Sequence, residues 1–422
     1  MKYSENKLKE GIKLHIIRTD KFKTNLVAIF LTTKLNRENV TKNALISMLL
    51  RRGSSKMSSQ EEISKKMEDM YGATFDCGLD KTGDNQVLKF YIESINDSFL
   101  PKQGENILKE SLKNLLEIVF NPYLENKYFK KEYLEQEKIN IKQRIEGKID
   151  NKARYAMDRC IEEMYKDAPF GLYKFGYVED LKKINEKNLY EYYNKLINSC
   201  KIDIFVSGNI NDDILETIKQ DENIIKLEQR TPDYVVPKLD LKQEKKEKVI
   251  IESMDVTQGK LLLGLDINLD DEKYKYHTLI YNSILGGSAN SKMFQNVREK
   301  AHLAYVASSN YLRYKSNIFI NCGIEIRNYE KALELIKKQI DDMKNGNFSE
   351  KDIEDAKTGI IANVKTISDE QDAEVSYCFG QELSQNKISV EEYIKIIQNV
   401  TKEDIINIAN KVKINTIYFL RD

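Results

Sequence analysis

The chain has 422 residues, with 67 basic and 67 acidic side chains, three His, five Cys and no Trp. This length predicts two or three domains, and a net charge of zero argues against a nucleic-acid partner, because phosphate binding needs a clustered basic excess. His15, His277 and His302 are far apart, which argues against a zinc site built from neighbouring imidazoles of this chain.

The cysteines predict a reducing compartment. They are odd in number and widely spaced, and no C-x-x-C pair occurs, which is typical of free thiols in a cytoplasmic protein. Residues 1–13 lack the apolar core of a signal peptide. The first apolar run, residues 26–31, has the length of a buried strand and is too short to span a membrane. We therefore expect a cytoplasmic protein with no membrane partner.

The first half of the sequence predicts elements in the order β-β-α-α-β-β. The second of the two helices begins at a capping box in which Ser59 precedes Glu62 by three residues. Charged helices then fill most of residues 105–166, and a short strand follows. The predicted strands are 12–17, 25–33, 73–79, 86–95 and 202–206, and the two helices are 43–50 and 59–70.

Residues 228–247 predict a linker. They contain Pro232, Pro237 and a run of Lys and Glu. This segment separates a predicted N-terminal domain, 1–227, from a C-terminal domain, 248–422. The same element order returns after it, with strands at 248–254, 261–267, 303–313, 318–326 and 416–420 and helices at 271–285, 291–300 and from 329 onward.

The two halves also share residues at a fixed offset of 234. Gly53 falls on Gly287 (287 − 53 = 234), and the series continues with Lys66 on Lys300, Tyr71 on Tyr305 and Ala73 on Ala307. A gap-free series with a matching element order indicates duplication. The predicted fold class is α+β, with two homologous domains that are each a mostly antiparallel sheet covered by helices.

Several candidate sites have a plainer interpretation. Gly286-Gly287-Ser288 is either an anion nest or a helix–helix turn that needs the free φ of glycine, and the turn is favoured because no phosphate-loop motif is present. The Glu- and Lys-rich residues 125–167 predict a solvated helix face. We expect His15 to face solvent, His277 to lie early in a helix and His302 to lie in a turn.

Arg298 and Tyr305 are seven positions apart, at the end of a predicted helix and the start of a strand. A guanidinium and a phenol that converge on one cleft would hold a peptide carbonyl or an oxyanion. The alternative is a surface Arg beside a half-buried Tyr.

The stretch from Gly286 to Ser309, GGSANSKMFQNVREKAHLAYVASS, resembles the C-terminal-domain signature of the insulinase/pitrilysin zinc metallopeptidases. The resemblance covers essentially the whole chain and implies the insulinase fold, a duplicated α+β domain with a linker. It also implies that Arg298 and Tyr305 reach into a chamber, where they bind substrate and stabilise the tetrahedral intermediate.

The N-terminal half departs from that family at its inverted zinc motif, H-x-x-E-H. Counted back from Gly53, Ala44 and Met48 stand at the two histidine positions and Ser47 stands at the general base. The third family ligand is a Glu on a later helix. The nearest match places Arg144 there and places Glu137, as a surface or chamber carboxylate, at the accompanying Glu. Neither an alanine nor an arginine is a zinc ligand, and Zn²⁺ does not favour the Met thioether.

The resemblance therefore implies a non-catalytic subunit, inactive alone and without a cofactor of its own. It would complete a peptide-processing chamber with a zinc-bearing paralogue in a heterodimer, or with itself in a homodimer. Its substrate would be a peptide or an unfolded protein. One alternative is a scaffold or peptide-binding protein in a protein-modification or maturation pathway, such as modification of an elongation factor. The other is an independent peptidase, which would require stoichiometric zinc.

Overall fold

A computed structural model describes residues 2–100, 105–239 and 246–422. Residues 240–245 of the predicted linker lie outside the described part of the chain. Two compact units account for the fold. The first comprises Met1–Glu146, Leu172–Val236 and Ile367–Glu382, and the second comprises Gly147–Gly171, Pro237–Thr366 and Leu383–Asp422. Each unit thus contains one segment from the other half of the sequence. The domain boundaries at 227 and 248, which were predicted from the sequence repeat, remain a prediction.

The strands and helices have the following bounds. The strands are β1 (Lys2–Lys9), β2 (Ile12–Arg18), β3 (Thr24–Lys34), β4 (Thr74–Thr82), β5 (Asn85–Ile95), β6 (Leu124–Glu125), β7 (Tyr128–Phe129), β8 (Lys201–Gly208), β9 (Lys248–Ser253), β10 (Gly259–Ile267), β11 (Ala304–Leu312), β12 (Asn317–Ile324) and β13 (Val412–Arg421). The α-helices are α1 (Val40–Leu49), α2 (Gln60–Asp69), α3 (Ile107–Phe120), α4 (Lys131–Glu146), α5 (Lys152–Met164), α6 (Val178–Leu181), α7 (Glu186–Ser199), α8 (Ile214–Lys219), α9 (Glu222–Lys226), α10 (Tyr274–Asn282), α11 (Tyr329–Lys344), α12 (Glu350–Thr366), α13 (Gln371–Ser384), α14 (Val390–Asn399) and α15 (Lys402–Lys411). Two further segments, Ser283–Gly287 and Met293–Lys300, are π-helical.

The first unit is built on a six-stranded sheet in the order β1-β2-β8-β3-β5-β4, in which only the β2–β8 pair is parallel. The second unit has a five-stranded sheet in the order β9-β13-β10-β12-β11, with only β9–β13 parallel. Without β1, the two sheets have the same strand order and the same pattern of directions. The predicted α+β fold with a duplicated, mostly antiparallel sheet is therefore confirmed.

The predicted offset between the repeats is visible in the helices. Helix α1 begins at Val40 and α10 begins at Tyr274, which gives 274 − 40 = 234. The predicted capping box also forms, since the Ser59 side chain accepts a hydrogen bond from the Glu62 N–H at 3.2 Å. Among the described residues, no helix is long and apolar enough to cross a membrane.

Sequence reasoning missed strand β1 and misjudged the glycine turn. The β1 sequence, KYSENKLK, is polar because it forms a largely exposed edge, so it lacks the apolar alternation of a half-buried strand. At Gly286 the reason for glycine is steric contact and not a positive φ. An added Cβ would lie 2.6 Å from the Ser309 backbone nitrogen. The glycine lets the end of the helix approach β11 closely.

Candidate functional site

The three zinc-motif positions on α1 lie in the interior of the first unit. Ala44 and Ser47 are fully buried and Met48 is nearly so. The Ser47 hydroxyl donates to the Ala44 carbonyl oxygen at 2.8 Å, so its hydrogen is used within the helix. These side chains present a methyl group, an occupied hydroxyl and a thioether, none of which suits Zn²⁺ or activates a water for hydrolysis.

Glu137 on α4, expected as a surface or chamber carboxylate, is buried with 3% of its surface exposed, which excludes the surface alternative. It forms an ion pair with the guanidinium of Arg52, just after α1, and accepts a hydrogen bond from Asn140 Nδ2 at 3.1 Å. A charge this deeply buried needs a partner of opposite charge. Arg52 therefore neutralises the Glu137 carboxylate.

Arg144, at the predicted position of the third ligand, lies over the Phe175 ring with its guanidinium carbon 4.8 Å from the ring centroid. Its charge acts on Cys77 of β4, together with that of Arg51. Burial nevertheless dominates and raises the pKa of the Cys77 thiol to about 11. The residues present around α1, β4 and α4 do not fit a zinc ion.

In the second unit, Arg298 and Tyr305 meet in one surface depression of about 280 Å³. The depression is lined by Arg298, Glu299, His302, Leu303, Ala304, Tyr305 and Glu325. Arg298 stacks on the Phe294 ring at 4.7 Å, and its Nε lies 3.4 Å from Glu299 Oε1. The two predicted side chains are thus brought together, with the guanidinium held by stacking and Tyr305 62% exposed.

A β-bulge orients Tyr305. Ala304 pairs with Ile324 and Val306 pairs with Gly323, so Tyr305 is the extra residue of β11. A bulge bends the strand and redirects the side chain of the inserted residue. The preceding His302 has a φ of +51°, so the chain turns sharply before the strand begins. The sequence motif predicted the pair of residues, but the bulge has no recognisable signal in it.

The structure also contains a buried polar network that sequence reasoning missed. His15 was expected to face solvent, and that expectation is wrong, because His15 is fully buried. Its Nδ1 lies 2.8 Å from the Tyr3 hydroxyl and its Nε2 lies 3.0 Å from Asp203 Oδ1. Tyr3 belongs to β1, the strand that the sequence did not predict. The signal available was the charged Asp203 within an otherwise apolar strand.

Helix α13 joins this network through Glu382, which is buried. Glu382 Oε1 lies 2.8 Å from Lys13 Nζ and 3.1 Å from Lys201 Nζ. The ligand atoms of Glu5, His15 and Glu382 lie within 4.8 Å of one another, which is close enough for a metal ion. However, Lys13 Nζ is also 2.7 Å from Glu5 Oε1, so an ammonium already bridges the two carboxylates. The ammonium groups of Lys13 and Lys201 thus lie between the carboxylates of Glu5, Asp203 and Glu382, and this network holds α13 in the first unit.

Comparison with known proteins identifies the family of this chain. Residues 183–360 match the family model described as the peptidase M16 inactive domain. The "Probable inactive metalloprotease YmfF" of Bacillus subtilis strain 168 is 35% identical over 97% of this chain and 96% of its own length. The chain therefore belongs to the M16, insulinase/pitrilysin-type, peptidase family. It is a member without the inverted zinc motif.

Solved structures show the same fold. A conserved protein from Enterococcus faecalis V583 superposes with a TM-score of 0.89 at 28% identity, covering 99% of this chain and 98% of its own. A structure titled as a peptidase M16 inactive domain from Pseudomonas fluorescens gives a TM-score of 0.80 at 18% identity over 100% of this chain and 98% of its own. The whole chain thus has the two-unit architecture of these proteins.

Proposed function

We propose that this chain is the non-catalytic subunit of a peptide-processing assembly, in which a zinc-bearing paralogue supplies the metal. One observation carries the proposal: the zinc-motif positions of the first unit hold no zinc ligand, whereas the Arg/Tyr pair of the second unit is present and exposed. At the zinc-motif positions lie a methyl group, an occupied hydroxyl and a thioether, and Glu137 is held by Arg52. In the second unit, Arg298 and Tyr305 line one exposed depression.

The chemistry available at that depression is recognition and not bond cleavage. A guanidinium donates several hydrogen bonds in a fixed plane and stabilises negative charge on a carbonyl oxygen. The exposed Tyr305 hydroxyl supplies a further donor. Neither group activates water, so the subunit alone has no hydrolytic activity, carries no resident cofactor and acts on peptides or unfolded segments only once the paralogue is bound.

The test is to assay peptide hydrolysis by the paralogue with and without this chain. Wild type should raise the activity of the mixture. Arg298→Ala with Tyr305→Phe should lower that gain by at least about 100-fold, because the loss of a single donor to a developing oxyanion already costs a factor of this order. Arg154→Ala is the matched control, since Arg154 is an exposed arginine of the same unit that does not line the depression.

Two results would contradict the proposal. One is hydrolysis by the mixture that does not depend on this chain, and the other is a double variant that stimulates as well as wild type. Peptide binding that persists without a paralogue, with no gain in hydrolysis on mixing, would instead favour a scaffold or peptide-binding protein.

A further inference from the structure

Strand β9 forms an open edge of the second sheet. It pairs in parallel with β13 on one side, and no other strand in the described part of the chain pairs with it on the other. Beyond its end, the Met254 N–H donates to the Arg421 carbonyl at 2.7 Å. Because backbone groups alternate along a strand, the odd-numbered residues Val249, Ile251 and Ser253 direct their N–H and C=O groups to the open side.

The corresponding edge of the first sheet is covered. Strand β2 pairs with β1 in an antiparallel register that runs from Lys2–Arg18 to Lys9–Ile12. In the first sheet, Ile16 pairs with Val206, which in turn lies opposite Val27. In the second sheet, Ile251 pairs with Phe419, which lies opposite Leu261. Val27 and Leu261 are related by the repeat offset of 234. Ile16 is therefore the counterpart of Ile251, and Leu14 is the counterpart of Val249.

The counterparts differ in exposure. Leu14 and Ile16 are 0% and 3% exposed, whereas Val249 and Ile251 are 53% and 52% exposed. The repeat shows that an antiparallel strand fits this edge, and Leu14 and Ile16 lie in the core of the first unit, against which Leu8 of β1 packs. Aliphatic side chains beside unpaired backbone groups are a template for strand addition.

The charges of β9 do not protect this edge. Lys248 Nζ donates to the Glu163 carbonyl oxygen of the same unit. Glu252 accepts from Arg159 Nε at 3.0 Å and from the Tyr418 hydroxyl at 2.8 Å. Natural sheets often block an edge with free charges that repel a second strand. Here both charged side chains are held on the face that packs against α5.

We propose that β9 is a self-association edge, which pairs antiparallel with β9 of a second copy of this chain about a two-fold axis through Ile250. In that register, Val249 lies opposite Ile251 of the second copy, and Lys248 lies opposite Glu252 of the second copy. Apolar side chains then meet on one face. On the other, Lys248 and Glu252 of the second copy lie opposite each other with opposite charges, while each keeps its contacts within its own chain. Directly opposed pairs of these kinds stabilise a sheet.

The neighbouring registers are worse. Opposed residues must share a face, so the pairing shifts by two positions at a time. An axis through Ile251 places Ile250 opposite Glu252, and an axis through Val249 places Ile250 opposite Lys248. Each alternative removes the Lys248–Glu252 pair and sets a charge against an aliphatic side chain. Lys248 and Glu252 carry opposite charges and lie two residues on either side of Ile250, and this placement selects the register with its axis through Ile250.

The edge is short, since β9 has six residues. Stable interfaces bury about 1,200 Å² or more, so strand pairing of this length predicts a weak, concentration-dependent dimer. Sedimentation velocity of the chain alone, over a wide range of protein concentration, should show that dimer. Lys248→Glu places two like-charged pairs across the axis and should weaken association roughly ten-fold.

A proline variant tests the backbone contribution. Ile251→Pro removes an N–H that faces the open side and is not needed by β13, so it should abolish the dimer and leave the sheet folded. Circular dichroism and the melting temperature check that the fold is retained. An unchanged dimer in either Ile251→Pro or Lys248→Glu contradicts the proposal, as does a wild-type chain that stays monomeric throughout.

A disulfide test fixes the register. Ile250→Cys places two thiols across the axis at a non-hydrogen-bonded pair, where Cα atoms are about 4.5 Å apart and a disulfide fits. Ser253→Cys is the control, because its two copies would lie about 20 Å apart. The native cysteines are all buried and give little background. Oxidation should cross-link the first variant only, and cross-linking of neither variant, or of the second alone, overturns the register. No paralogue is present, so these results are independent of the proposed function.

Discussion

Arg52 and Glu137 form, at the scale of single residues, an ion pair between α4 and the turn after α1. A zinc ion would balance the charge of acidic groups near α1, whereas here a guanidinium fixed in the same chain neutralises Glu137. Breaking a buried ion pair is costly because one charge is left without a partner, whereas replacing both partners by apolar groups is nearly neutral.

We therefore expect Arg52→Met to lower the free energy of unfolding by about 2 kcal/mol, a value reduced from that of a fully buried pair because Arg52 is 23% exposed. The double variant Arg52→Met with Glu137→Met should lie within about 1 kcal/mol of wild type. Urea unfolding of Arg52→Met, of Glu137→Met and of the double variant measures the coupling energy between the two side chains. Additive effects of the two single variants would show that the pair does not act as a unit.

The sequence locates the positions that match the zinc motif but does not predict this pairing. Ala44, Ser47 and Met48 are identified by their distance from Gly53, which is local information. Arg52 and Glu137 are 85 positions apart. The local sequence gives no sign that Glu137 is buried while the other three glutamates of the same helix are exposed, because the packing of α4 against α1 is what buries it.

At the scale of elements, the position of helix α13 also depends on contacts between residues far apart in the sequence. It packs in the first unit through Phe379, whose ring centroid lies 4.4 Å from that of Phe30, and through the buried Glu382. Burial acts to raise the pKa of Glu382, but Lys201 and Lys13 hold that pKa below its ordinary value. The docking of α13 therefore depends on a carboxylate that stays ionised.

The ionised Glu382 predicts how the stability of the fold depends on pH. A group whose pKa is lower in the folded state stabilises the fold above its unfolded pKa, about 4.3 for Glu, and that stabilisation is lost as the pH falls through the folded pKa. Glu382→Gln should destabilise the chain at pH 7 by about 2 kcal/mol, and the difference from wild type should shrink below about pH 4. Chemical unfolding at several pH values measures it. Glu370→Gln, in an exposed position just before α13, is the matched control, and an equal pH dependence in the two variants would contradict the role of Glu382.

Most of the element order was predictable because each strand and helix carries its own periodicity. Strand β1 was not, because a largely exposed edge strand has no apolar alternation. The bulge at Tyr305 and the π-helical segment that carries Arg298 were not predictable either. Both depend on how the backbone adapts to its neighbours, and single residue types do not encode that.

For the whole molecule, the two compact units do not coincide with the two sequence halves. The first unit contains residues 367–382, and the second contains residues 147–171. Helix α5 supplies Ala156, Cys160 and Met164 to the core that also contains Leu262 and Phe319. Duplication is visible in the sequence, but this exchange of segments is not, because it concerns which long-range contacts form.

The exchange predicts that neither half folds by itself. A fragment of residues 1–239 lacks Glu382 and leaves the ammonium groups of Lys13 and Lys201 without that carboxylate, and a fragment of 246–422 lacks the α5 side chains of its core. Buried apolar and charged groups left without partners destabilise a domain by several kcal/mol, which is comparable with its whole stability. We expect each fragment alone to be insoluble or to lack cooperative unfolding. Co-expressed, the two should co-purify as a folded complex with the circular dichroism of the intact chain. A fragment 1–239 that unfolds cooperatively on its own would show that the segment 367–382 is dispensable, and Glu382→Gln should then leave the intact chain as stable as wild type.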